Sequence, residues 1–305
     1  MFGIYFGKYL LSKSIITEEQ YNQLIEKTKN SKVQMGLLAV EMGLMTEEET
    51  KEVNRLQQQF DKRFGDIAIE KGYLTDMDVE DILDRQGDAY LLFIQALLEA
   101  NILTMDEIKA ELTSYRRDKG LSAMDLEAVK SGDVDRIAPI FINHADLPEY
   151  VREYFLLTTR NIVRFIDRFF SMSNIEKVEE YDSAHCAIRH IVGDKKFHTA
   201  ICGDDDGIRK VADGLCMNSF SKSVGDAGID TLDVVNEFMN WNNGLFASVL
   251  SDKGIEVVDE APVIKPSHTV IHADENMYKM PLSIGGSNID LIICYEDETW
   301  KVEDK

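Results

Sequence analysis

Apolar and polar residues along the first third of the chain follow two superposed periods. Over short stretches apolar residues recur three and four apart, as at Val79, Ile82 and Leu83, which is the spacing of one helix face. Over a longer range the whole pattern returns: Gly7, Gly36 and Gly65 lie 29 residues apart, and Ile94 continues the series. Thr17, Thr46, Thr75 and Thr104 keep the same period, each ten residues after its marker. The units read FGKYLLSKSIITEEQ, MGLLAVEMGLMTEEE, FGDIAIEKGYLTDMD and FIQALLEANILTMDE. Self-similarity at such a period is the mark of a stacked supersecondary unit, here a helical hairpin.

Each unit carries its own start and stop signals. A short apolar helix runs to a break at Ser14, Gly43, Gly72 or Asn101, and glycine and asparagine end helices because they tolerate left-handed backbone. The threonine then caps a second helix, with Gln20, Glu49, Asp78 or Glu107 three residues on. That is the capping-box arrangement, in a shortened form where the partner is aspartate.

The pattern changes after residue 118. Residues 119–145 mix turn formers with one short helical stretch and read as a partly helical linker. An amphipathic helix is predicted from Glu149 to Ser173, with Arg160, Arg164 and Arg168 forming a solvated basic stripe. Two β-like runs, AHCAIRHIVG and KKFHTAICG, follow around the turn Gly193-Asp194-Lys195. Asp204, Asp205 and Asp206 precede a further helix, where carboxylates favour the helix dipole.

The run DVVNEFMNWNNGLFASVLS is then helical, with Val234, Val235, Phe238, Met239, Leu245, Phe246 and Val249 as its apolar face. Strand-like GIEVV, Pro262 and a strand pair around Gly285-Gly286 close the chain. The expected fold is α+β. An all-α repeat domain covers residues 1–118, a linker 119–145, and an α/β domain with an antiparallel sheet 146–305.

Composition narrows the function. The 305 residues suffice for two domains, and the formal net charge of -22 repels phosphate backbones and anionic lipid. Nucleic acid and membrane surfaces are thereby poor partners. No apolar run reaches the length of a membrane span, and MFGIYFGKYLLSK lacks the parts of a signal peptide, so a cytoplasmic location is expected. Cys186, Cys202, Cys216 and Cys294 are far apart in apolar settings and read as buried small hydrophobes. The histidines show no metal-ligand spacing, and no metal site is expected.

Two segments carry candidate chemistry. In the repeats, Arg63, Phe64 and Gly65 open the third unit and Gln86 closes it, while Gln34, Met35 and Gly36 open the second. This resembles the N-terminal (MshEN) domain of type II secretion ATPases, whose tandem motifs open Arg-Leu-Gly and close with Gln. Some members bind cyclic di-GMP through them. The resemblance implies Arg63, Gly65, Gln86, Gln34 and Gly36 as nucleotide contacts. The second unit, however, opens with Gln34 in place of arginine, and the fourth has lost its glycine.

In the second domain, Glu237 and Asn240 fall three apart on one helix and project from the same face. With Asp233 before them and Pro262 after, they resemble the CheC/CheX phosphatase pattern: Asp or Ser, three residues, Glu, two residues, Asn, and a proline about 22 residues on. The interval to Pro262 is one residue shorter than the family's, and Gly244 falls where CheX-type helices carry glycine. The pattern occurs once, as in CheX, and not twice, as in CheC.

The resemblance implies a chemotaxis or two-component phosphatase that hydrolyses the phospho-aspartate of a CheY-like response regulator. In that reading Asn240 orients water and Glu237 pairs with the regulator's lysine. Magnesium is supplied by the regulator, no cofactor belongs to the chain itself, and the second domain forms a homodimer. The alternative is a non-catalytic signalling adaptor, or a cyclic di-GMP receptor acting through the repeats.

Overall fold

The computed structural model describes residues 1–29, 33–59, 63–84, 88–220, 224 and 230–304, and it divides into two compact units, Met1–Asp133 and Val134–Lys305. In the first unit every sequence repeat folds as a helix pair. These are α1 (Phe2–Ser12) with α2 (Glu18–Lys29), α3 (Met35–Glu41) with α4 (Glu47–Gln59), α5 (Phe64–Glu70) with α6 (Asp76–Asp84), and α7 (Ala89–Glu99) with α8 (Met105–Asp118). The breaks fall at Ser14, Gly43, Gly72 and Asn101, which have φ of 57, 70, 74 and 52°. All four capping boxes are closed. The N–H groups of Gln20, Glu49, Asp78 and Glu107 donate to the threonine hydroxyls, and their side chains accept the threonine N–H at 2.7–2.8 Å.

The marker glycines are contact points between the two helices of a repeat. A Cβ on Gly7, Gly36 or Gly65 would meet Tyr21, Thr50 or Val79 respectively, in each case on the second helix of the same hairpin. In the fourth repeat the equivalent positions are Ile94 and Ile108, both fully buried. The first and fourth repeats share an aromatic core in which Phe2, Phe6, Tyr9, Tyr90, Phe93 and Tyr115 pack with ring centroids 5.0–6.4 Å apart.

Residues 119–145, expected to be partly helical, hold two helices. In α9 (Ala123–Ser131), Ser122 and Asp125 form a further capping box and Gly132 ends the helix in left-handed backbone, φ 68°. The turn formers of this stretch are thus caps. Helix α10 (Val134–Ile142) opens the second unit and packs on α11 (Glu149–Phe165). Helix α11 stops well short of Ser173, because Asp167 turns the chain by accepting the N–H of Phe169 at 2.7 Å.

The second unit is mixed α+β. Its elements run β1 (Ser171–Met172), β2 (Glu176–Lys177), β3 (Glu180–Ser183), β4 (His185–Gly193), β5 (Phe197–Gly203), α12 (Asp205–Phe220), α13 (Thr231–Ser251), β6 (Val257–Asp259), β7 (Val263–Lys265), β8 (Thr269–His272), β9 (Met277–Ile284), β10 (Ser287–Tyr295) and β11 (Lys301–Asp304). An antiparallel sheet runs β1-β9-β10-β5-β4-β6, with β2 also on β9 and β7 also on β4. A smaller antiparallel sheet runs β11-β8-β3.

The period of two along β4 and β5 sorts their side chains into two layers. Cys186, Ile188, Ala200 and Cys202 pack with Ile271 and Cys294 in a core that also takes in Val302 from the smaller sheet. All four cysteines are free and buried, as expected. The other face of the large sheet carries the helices: Tyr154 of α11, Phe197 of β5 and Phe246 of α13 meet edge-on at 5.1–6.0 Å. No helix among the described residues is long and apolar enough to cross a membrane.

Candidate functional site

Helix α13 starts at Asp230, whose carboxylate accepts the N–H of Leu232 at 2.8 Å. Its inner face is made by Leu232, Val234, Val235, Phe238, Met239, Asn242, Asn243, Phe246 and Leu250, all buried. That leaves Asp233, Glu237, Asn240 and Gly244 on the outside as one exposed stripe with helical spacing. Leu245 and Val249 were expected inside. They are instead 43% and 36% exposed and border the same stripe.

The inner places are taken by two asparagines with buried partners. Tyr154 donates to Asn243 Oδ1 at 2.9 Å, Asn161 donates to Asn242 Oδ1 at 2.9 Å, and Asn242 donates to Thr158 Oγ1 at 3.0 Å. Buried amides are tolerated only when hydrogen-bonded, so these partners on α11 set the roll of α13.

Beneath the stripe lies Arg189 of β4, 5% exposed and on the helix-facing side of the sheet. Its Nε donates to both carboxylate oxygens of Asp259 at 3.1 Å, and its Nη2 donates to Asp259 Oδ2 at 2.7 Å. The remaining donors reach upward: Nη1 to Asn236 Oδ1 and Nη2 to Asn240 Oδ1, each at 3.1 Å. Asn240 is therefore held from below by an ion pair whose arginine is buried and whose aspartate is partly buried. Sequence reasoning did not single out Arg189. The available signal was one charge within an apolar alternation, between Ile188 and His190, on the parity of Ala187 and Ile191.

Pro262 lies in the gap between β6 and β7, which pair with the same edge of β4. Asp259 opposes Ile191 and Val263 opposes Ile188, so four steps on one strand match three on the other. The extra residue is a bulge, and proline, which has no N–H to give, suits it. The bulge follows directly on Asp259, the partner of Arg189. Gly244 has no internal explanation, since a Cβ there would meet nothing within 4 Å.

The candidate nucleotide contacts belong to the first unit. Arg63 is exposed at the N-cap of α5. Gln34 is engaged within the protein: its backbone N–H donates to Gln95 Oε1 at 2.7 Å and its side chain to Glu99 Oε1 at 2.9 Å. Gly36 and Gly65 face Thr50 and Val79 as described, and Gln86 lies outside the described residues. The acidic run before α12 makes local contacts: Asp204 accepts the N–H of Gly207, Asp205 meets His185, and Asp206 meets Ser287. Among the described residues no group of three or more His, Cys, Asp or Glu is placed to hold a metal ion.

No protein-family model matches this chain, and no curated protein matches it. Solved structures are similar over about half of it. One is the chemotaxis protein CheX from Desulfovibrio desulfuricans, at 16% identity and TM-score 0.39, covering 49% of this chain and 100% of that one. Another is CheX from Vibrio vulnificus, at 19% and 0.40, covering 49% and 100%. A third is a chain of the CheX-CheY-BeF3-Mg2+ complex from Borrelia burgdorferi, at 15% and 0.37, covering 48% and 97%.

Proposed function

We propose that the second unit is a phosphatase for the phospho-aspartate of a CheY-like response regulator, docking its substrate on the outer stripe of α13. The observation that supports it is the placement of Glu237 and Asn240, both exposed and one turn apart on a helix whose other face is fully anchored. Two side chains that must meet a partner's active site need exposure and a rigid base together.

The chemistry asks little more of this protein. Water attacks phosphorus in line, the phosphorus–oxygen bond to the aspartyl group breaks, and the products are a free carboxylate and dihydrogen phosphate. Both protons of the water end on phosphate. The magnesium belongs to the regulator, so the phosphatase contributes positioning. Asn240 is neutral at every working pH and orients water without titrating. Glu237 supplies a carboxylate for the regulator's active-site lysine and fixes the docked register.

The test is the rate at which phosphate is lost from CheY-like receivers phosphorylated with a small-molecule phosphodonor. The protein should accelerate it, and Asn240→Ala should remove most of the acceleration. A wild-type protein that binds the phosphorylated receiver without accelerating the loss is an adaptor, and the proposal falls.

A further inference from the structure

The geometry points to Arg189 as the positioning residue of this site: it fixes which atom of Asn240 faces the substrate. The inference rests on the phosphatase reading above. A guanidinium has donors and no acceptor, so an amide in contact with it must turn its oxygen toward it. Arg189 Nη2 stands 3.1 Å from Asn240 Oδ1, which leaves the Asn240 NH2 group directed away from the arginine. An exposed asparagine without such a partner samples both amide orientations, and half of them would present the wrong atom.

The arginine is itself immobile. It is buried on the sheet, held by three contacts to Asp259, and tied to the preceding turn of α13 through Asn236. The ion pair thus transmits the position of a rigid strand to one amide on the surface. Its positive charge also polarises that amide, drawing electron density to the oxygen and making the outward N–H a stronger donor. Asn240 then acts as a donor, toward a phosphoryl oxygen or a lone pair of the attacking water. Lysine would not serve at position 189, because one ammonium lacks the planar fork that reaches Asp259, Asn236 and Asn240 together.

The experiment compares wild type with Arg189→Lys in steady-state dephosphorylation of a CheY-like receiver, beside thermal melts and NMR of the Asn240 side-chain amide. Arg189→Lys should lower kcat by about tenfold or more with KM unchanged, since docking is left intact and only orientation is lost. Its Asn240 amide signal should move from a shifted, ordered position to that of a free amide.

A folded Arg189→Lys protein with wild-type kcat overturns the positioning role and leaves the phosphatase reading standing. A wild-type protein without activity overturns the phosphatase reading, and the NMR arm then decides Arg189 by itself: a free-amide signal for Asn240 in the wild type overturns the contact. Should Arg189→Lys fail to fold, Asp259→Asn loosens the same arginine and is judged by the same criteria.

Discussion

A methyl group added to Gly36 would lie 2.5 Å from Cγ2 of Thr50, a distance at which one of the two helices of the second repeat must move. Thr50 is β-branched and stiff, so it yields poorly. Gly36→Ala should therefore destabilise the first unit by about 1–3 kcal/mol, although alanine is the better helix former. At Gly65 the neighbouring Val79 methyls are 3.3 Å away and need give only slightly. Gly65→Ala should come out near neutral. Urea unfolding of the two variants checks this, and equal losses would show that the repeat glycines do something other than pack.

Gly244 is the opposite case. It sits in the middle of a 21-residue helix with open space where its Cβ would be, so the fold gains nothing from glycine there. Gly244→Ala should raise stability by roughly 0.5–1 kcal/mol. A residue that costs stability and lies between Asn240 and Leu245 is best explained by close approach of a partner. Gly244→Gln should accordingly weaken receiver binding while the melting temperature holds or rises. Unchanged binding would remove Gly244 from the docking surface.

The repeats were legible because their signals are local: a threonine and a glutamine, glutamate or aspartate three residues on declare a helix start whatever surrounds them. The exposed stripe was legible for the same reason, since Asp233, Glu237 and Asn240 are spaced by helix geometry alone. Two things were not. The roll of α13 depends on Asn242 and Asn243 finding partners on α11, more than 80 residues earlier, and apolarity alone misassigned Leu245 and Val249. Arg189 depends on Asp259, 70 residues later, reaching it beside a bulge. Long-range polar pairing leaves no periodic trace. Within residues 119–145, Ser122 and Gly132 have the composition of turn formers and serve as helix caps.

On the other face of the sheet His190 and His198 meet through their Nδ1 atoms at 2.6 Å, and His198 stacks on Trp300 with centroids 4.8 Å apart. One ring must accept from the other, so protonating both breaks the contact. Burial, and then the charges of His190 and Lys196, push His198 down to about 4. Burial also lowers His190.

A folded pKa below the unfolded one means that the unfolded chain binds more protons in between. The stabilisation is thus whole above about pH 6.5 and is lost as pH falls through about 4, worth roughly 2–3 kcal/mol. Urea midpoints should fall over that interval, and His198→Gln should flatten the fall. A variant that follows the wild-type curve would place the acid sensitivity elsewhere.

Glu237 and Asn240 should separate kinetically. If Asn240 orients the attacking water, Asn240→Ala loses a positioning group, on the order of a hundredfold in rate or ~3 kcal/mol of barrier, while the receiver still binds. Glu237→Ala removes a charge partner at the interface, so it should weaken the docked complex as well as slow turnover. The loss of binding should shrink at high salt, where the wild-type ion pair is itself screened. The double variant should fall little below Asn240→Ala, because groups that act as one unit are not additive. Steady-state dephosphorylation together with binding of a receiver held in its phosphorylated form by a fluoride analogue measures all four proteins. If both single variants keep full turnover, the stripe on α13 is not the site. If their losses simply multiply, the two residues act in separate steps, and Glu237 does not set the register in which Asn240 works.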